Sequence, residues 1–178
     1  MRPGGFFASF LGRPRKLVAR GGELPASASA NHKPSPKLMH WQTHHFSELS
    51  AQNLYDALRL RSEVFVVEQN CVFLDPDKRD AEAFHLLGRT EQGALHAYCR
   101  LLSGPKISRV VTAPEARGTG LGRVLMNKAL EECARLWPAS TVTINAQAHL
   151  QGFYASLGFV VTSDIYDEDG IPHIDMKR

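Results

Sequence analysis

Cysteine is scarce in this 178-residue chain: Cys71, Cys99 and Cys133 stand far apart, with no Cys-x-x-Cys pair. A zinc site or a disulfide framework needs closer, paired spacing, so neither is expected. No metal is expected, and three reduced thiols fit a cytoplasmic protein. No apolar run approaches the roughly 18–20 residues that a membrane-spanning helix needs, and no membrane partner is expected. Repeated basic–aromatic patterning and internal repeats are missing too. The chain is 43% hydrophobic, 8% aromatic and 22% charged. Those averages exclude collagen-like, largely disordered and disulfide-framework classes.

The net charge of +3 divides unevenly. Residues 1–38 hold seven Lys/Arg against the single acid Glu23, whereas residues 39–178 hold 14 Lys/Arg against 17 Asp/Glu. The body, at −3, offers no overall positive field for nucleic acid. The first 38 residues also carry Pro3, Pro14, Pro25, Pro34 and Pro36 and show no sustained periodicity. Such a stretch cannot bury enough apolar surface to offset its ordering entropy. Residues 1–38 are therefore read as a disordered leader or as residues upstream of a true start at Met39. A transit peptide and a binding arm are the alternatives. Residues 39–178 are the folded domain, as a monomer or homodimer.

Within that domain the spacing predicts a strand over Met39–Phe46. A helix follows, capped by Ser47 or Ser50 and running to about Val64, with Leu54 and Leu58 on one face. Strands are predicted at Phe84–Gly88, Ala94–Leu101 and Ile107–Thr112. From Gly120 to Trp137, apolar Met126, Ala129, Leu130, Cys133 and Trp137 oppose Arg123, Asn127, Lys128, Glu131 and Arg135, an amphipathic helix stopped by Pro138. A strand at Thr141–Ala146 precedes a short helix bearing Leu150, Phe153, Tyr154 and Leu157. Strands at Phe159–Val161 and His173–Met176 complete a mixed α/β domain, the last after a turn at Asp169-Gly170.

The chemistry concentrates in Arg117-Gly118-Thr119-Gly120-Leu121-Gly122, between a strand and the best helix. Glycines let backbone approach a ligand closely, and a helix N-terminus with unpaired N–H groups attracts an anion. The segment has neither the spacing of a dinucleotide fingerprint nor the Gly-Lys-Ser/Thr of a nucleotide-triphosphate loop. It reads R-x-x-G-x-G after Val111-Thr112-Ala113-Pro114. A tight turn with packing glycines is the plain alternative.

That pattern resembles the acetyl-CoA motif of the GNAT (GCN5-related) N-acetyltransferase superfamily. Tyr154-Ala155-Ser156-Leu157-Gly158-Phe159 matches the superfamily's Y-x-x-x-G-F signature. Val64–Cys71, Ala146–Gln151 and Glu168–His173 are similar to the ElaA-type subfamily. The resemblance covers residues 39–178 and implies the GNAT fold, a mostly antiparallel mixed sheet flanked by helices. It implies acetyl-CoA as co-substrate and a primary amine as acceptor. By resemblance, backbone groups of Val110, Val111 and Thr112 hold the pantetheine arm. Those of Arg117, Gly118, Thr119, Gly120, Leu121 and Gly122 hold the pyrophosphate. Tyr154 becomes the acid for the departing thiolate, with a core tyrosine as the alternative. Glu68 and His173 are candidate bases, His149 and Arg109 weaker ones, and His85 a core or edge residue. Gln147 replaces the Asn that many members carry seven residues before the tyrosine.

Direct attack in a ternary complex is the expected route, since Cys71 has no evident activator for a ping-pong mechanism. Asp75, Asp77, Asp80 and Glu82 suggest either a cationic acceptor or a solvated acidic loop. A transferase using a longer acyl donor and a non-catalytic CoA-sensing module are the alternative functions.

Overall fold

A computed structural model describes residues 38–178, so the leader reading falls outside the described residues apart from Leu38. Strand β1 (His40–His45) leads through a short 3-10 turn to helix α1 (Ala51–Arg61). Ser50, not Ser47, caps α1, its hydroxyl accepting from the Asn53 amide at 3.1 Å. The buried face of α1 centres on Ala57, Leu60 and Arg61, displaced from the predicted Leu54–Leu58 stripe. Past Arg61 the helix widens into a π-helical turn over Ser62–Glu68, where the amides of Gln69 and Cys71 reach five residues back to Val64 and Val66.

Strands β2 (Phe84–Arg89), β3 (Leu95–Leu102) and β4 (Lys106–Thr112) form an antiparallel meander. Helix α2 (Leu121–Leu136) buries Leu121, Leu125, Met126, Ala129 and Cys133. Leu125 and Met126 are fully enclosed, and burying a side chain of that size contributes roughly 1.5–3 kcal/mol. Then come β5 (Thr143–Gln147), α3 (Gln151–Ala155), β6 (Val160–Val161), β7 (Tyr166–Glu168) and β8 (Ile171–Lys177). The strands make one sheet in the order β1-β2-β3-β4-β5-β8-β6, with β7 paired to β8. All pairings are antiparallel except β4 with β5.

Strand β7 is absent from the sequence reading. It pairs with β8 across Asp169 and Gly170, whose φ values of 54° and 80° define a two-residue hairpin turn. In β2, Gly88 is fixed by close approach: a Cβ there would lie 2.7 Å from the Trp41 ring.

Candidate active site

Two irregularities in β4 create the site. Its parallel partner β5 is registered to it at one position, Lys106 opposite Thr143, where the Thr143 amide bonds the Pro105 carbonyl at 2.9 Å. Beyond that point the two strands diverge and open a cleft of about 250 Å³. Val110, Val111 and Thr112 line it on one side, and Ala146 and Gln147 on the other. The second irregularity faces β3. Tyr98 opposes Val111 while Arg100 opposes Ser108, so β4 carries one extra residue, and Arg109 sits at φ 52°. Such a bulge removes backbone groups from the ladder and re-aims them.

A buried ion network anchors the bulge. Arg61 reaches Asp75 at 2.8 Å and Asp80 at 2.7 Å. Arg100 grips Asp77 with both terminal nitrogens and also reaches Asp80 at 3.0 Å. Arg109 Nε stands 2.7 Å from Asp75 Oδ1, held by charge and not by an aligned hydrogen bond, and Nη2 donates to the Asp75 carbonyl at 3.0 Å. Arg61 is fully buried, Arg100 nearly so. Three guanidiniums thus balance three carboxylates. The acidic run Asp75–Asp80 is neither a solvated loop nor free to attract a cationic acceptor, and Arg109 is a structural cation, not a base. The hydrogen bond from Arg100 holds Asp77 well below the ordinary carboxylate range. Burial opposes ionisation of Asp80, but the bond from Arg61 and the two guanidinium charges together outweigh it and keep its pKa low. His85 lies beneath, bonded to the Tyr98 hydroxyl at 2.8 Å and the Asp80 carbonyl at 2.9 Å. It is a core histidine, and burial lowers its pKa.

Tyr154 lies on α3, only 5% exposed, with its ring edge-on to Phe153 and Phe159. It lines the cleft. Among the described residues its hydroxyl has no hydrogen-bond partner, unlike a satisfied core tyrosine. Burial raises its pKa well above the usual value, keeping the phenol protonated. His173 lines the same cleft from β8. Its Nδ1 stands 2.8 Å from the Ile171 carbonyl. A carbonyl only accepts, so Nδ1 carries a proton, and in the neutral ring the lone pair is then on Nε2. Burial, then the neighbouring His173, lowers the pKa of His149. Gln147 lines the cleft and donates to Gln69 at 3.3 Å.

Cys71 also lines the cleft, its thiol 3.7 Å from the Asp169 carbonyl. Burial and then Asp169 push its pKa up, opposite to what a nucleophile needs. Cys99 and Cys133 are buried.

The glycine segment frames a second hollow, of about 210 Å³, at the start of α2. Thr112, Arg117, Gly118, Gly120, Gly122 and Phe153 are among its lining residues. Thr112 lines both spaces, so they adjoin. Gly120 takes φ 86°, and a Cβ there would meet nothing within 4 Å, leaving open room at a helix N-terminus. That suits a diphosphate. Thr119 spends its hydroxyl on the Ala116 carbonyl at 2.7 Å. Glu68 does not line the cleft with Tyr154; both its oxygens accept from Arg117, at 2.6 and 2.7 Å.

The sequence reading missed Arg61 and Arg100, which look like surface residues by type. Three nearby aspartates needing counter-charges were the available signal. Among the described residues, no group of three or more His, Cys, Asp or Glu side chains could hold a metal ion, and no helix is long and apolar enough to cross a membrane.

Comparison with known proteins agrees with this geometry. The acetyltransferase (GNAT) domain family matches residues 63–178. Protein ElaA of Escherichia coli is 45% identical over 149 residues, spanning 79% of this chain and 97% of that protein. Its crystal structure superposes with a TM-score of 0.75 at 44% identity, over 79% of this chain and 99% of that one. An acyl-CoA N-acyltransferase from Pseudomonas aeruginosa gives a TM-score of 0.76 at 43% identity, with the same coverage. Spermidine/spermine N-acetyltransferase SpeG from Vibrio cholerae, 14% identical with a TM-score of 0.60 over 80% of this chain and 93% of its own, shares the fold alone. A splayed β4–β5 cleft adjoining a glycine-capped helix, together with these likenesses, shows that the chain belongs to the GNAT acyltransferases, in their ElaA-type branch.

Proposed function

We propose that this domain transfers an acetyl group from acetyl-CoA to a primary amine by direct attack in a ternary complex. The observation that carries the reading is that Thr112 lines both spaces. A long, phosphate-bearing thioester can lie with its diphosphate at Gly118–Gly122 and its acyl end beside the β4 bulge and Tyr154.

The amides of Arg117–Gly122 bind the diphosphate, aided by the partial positive charge of the α2 N-terminus. Backbone of Val110, Val111 and Thr112 orients the pantetheine arm, and bulge amides donate to the thioester oxygen as it gains negative charge. His173 Nε2 takes a proton from the acceptor, directly or through one water. The neutral nitrogen forms its bond to the carbonyl carbon and gives its second proton to solvent, the C–S bond breaks, and the sulfur leaves with the electron pair. The Tyr154 hydroxyl gives that sulfur a proton, and the proton on His173 returns to Tyr154 through solvent. Products are an amide and the free CoA thiol. Glu68 positions Arg117 and is not the base. The three free thiols fit a cytoplasmic setting.

The test is acceptor-dependent thiol release by the full chain with acetyl-CoA across a panel of primary amines. Burst-free, sequential kinetics are expected. Acetyl-CoA binding with no release on any amine would favour a CoA-sensing module instead, and preference for long-chain thioesters would move the donor assignment.

A further inference from the structure

The cationic side chains in and beside the cleft fall into two groups. Arg61, Arg100 and Arg109 are committed to Asp75, Asp77 and Asp80. Arg79 and Lys106 are not. Both line the cleft. Among the described residues, neither side chain has an ion-pair or hydrogen-bond partner.

The nearby acids are already engaged or lie across the cleft. Asp77 has both oxygens on Arg100. Asp175 accepts from Tyr166 at 2.8 Å and also from Asn145. Glu168 and Asp169 line the opposite hairpin, and Glu168 stays beyond ion-pair distance of Lys106. Lys106 is partly buried. That burial, and then repulsion from Arg79, lowers its pKa despite some attraction from Glu168 and Asp175. Two mutually repelling cations, one of them partly desolvated, raise the free energy of the unliganded protein. A small anion between them removes that cost.

We infer that Arg79 and Lys106 form an anion subsite for the acceptor, so that the amine substrate also carries a carboxylate or phosphate group. The inference rests on the transferase reading of the cleft and names the class of its acceptor. The two walls match such a molecule: cations on the β4 side receive the anion, while Glu168 and Asp169 draw the ammonium end before it deprotonates. Strand rise sets the span. Lys106 lies four residues from Val110, about 13 Å along the strand, and a Lys side chain covers roughly half of that. The anion therefore sits several bonds from the reacting nitrogen, a length suited to an ω-amino acid or a dipeptide and too long for glycine.

The test uses calorimetric titration of the CoA-loaded full chain, which needs no turnover. The probes are the ω-amino acids from glycine to 6-aminohexanoate and the dipeptide glycylglycine, each beside its primary amide. 3-Aminopropylphosphonate serves as the phosphate arm. An acid of four to six carbons, the dipeptide or the phosphonate should bind at least tenfold more tightly than its uncharged counterpart. The Arg79→Gln/Lys106→Met double variant should lose that preference while binding the amides as wild type does. In turnover, the loss should appear in KM for the acid with kcat little changed. Equal binding of acid and amide, no binding of either, or a preference surviving in the double variant overturns the subsite. Acetyl-CoA binding and thiol release, measured on the same preparations, report separately on the transferase reading.

Discussion

Glu68 and Arg117 form a two-pronged ion pair, Oε1 to Nη1 at 2.6 Å and Oε2 to Nη2 at 2.7 Å, across 49 residues of sequence. The pair ties the end of the π-helical turn after α1 to the first residue of the glycine segment. One contact thus connects the turn bordering the cleft to the glycine-framed hollow. Glu68 is engaged with Arg117 and does not line the cleft with Tyr154. Glu68→Gln should therefore leave kcat within about threefold and change KM for acetyl-CoA by a few fold. Loss of a general base would cost roughly 100-fold or more. Steady-state kinetics distinguishes the two.

Tyr154→Phe removes a hydroxyl that makes no hydrogen bond among the described residues and keeps the ring against Phe153 and Phe159. Stability should change by less than about 0.5 kcal/mol. Turnover should fall roughly 10- to 100-fold, and less with a donor whose thiol leaves more readily. Thermal denaturation beside kinetics checks both halves.

The Arg61–Asp80 pair sets the acid response of the fold. The low folded-state pKa of Asp80 means its stabilisation is complete above the unfolded carboxylate value of about 4 and is lost as pH falls through the folded value. Asp77 acts in the same direction. The depressed His85 pKa also favours unfolding in acid, beginning as pH falls below the unfolded value of about 6.5. Denaturant midpoints should drop steeply from pH 5 to 3, and less steeply in Asp80→Asn. At neutral pH that variant leaves Arg61 partly uncompensated and should cost about 3–5 kcal/mol.

Gly88→Ala should destabilise by roughly 1–3 kcal/mol, because the added methyl meets the Trp41 ring at 2.7 Å and Ala97 Cβ at 3.1 Å. Trp41→Leu in the same chain should recover part of the loss. Equilibrium unfolding of the two variants tests the pairing of β1 with β2.

What was legible in the sequence was local and periodic. The α2 stripe, the β2–β4 meander and the glycine segment each follow from spacing over a few residues. Tyr154, singled out by the Y-x-x-x-G-F run, lines the cleft. What was not legible depends on contacts distant in sequence. Arg61 and Asp80 are 19 residues apart, and Glu68 and Arg117 are 49 apart, so no window of sequence shows that they neutralise one another. The bulge at Arg109 arises from the register with β3, which periodicity along one strand does not encode. Strand β7 is three residues of Tyr-Asp-Glu, too short and polar to announce itself, although Asp169-Gly170 marks a hairpin that requires it.

The glycine segment at the head of α2 is proposed to hold the CoA diphosphate. That role is tested most directly by calorimetric titration of acetyl-CoA into the full chain, its Gly120→Asn variant and its Gly120→Asp variant. Both variants place a side chain of the same size at φ 86°, so their difference reports mainly charge. Micromolar binding by wild type, a few-fold loss in Gly120→Asn and at least 30-fold loss in Gly120→Asp are predicted. Equal affinity of the two variants, or no binding by the folded wild-type chain, would contradict it.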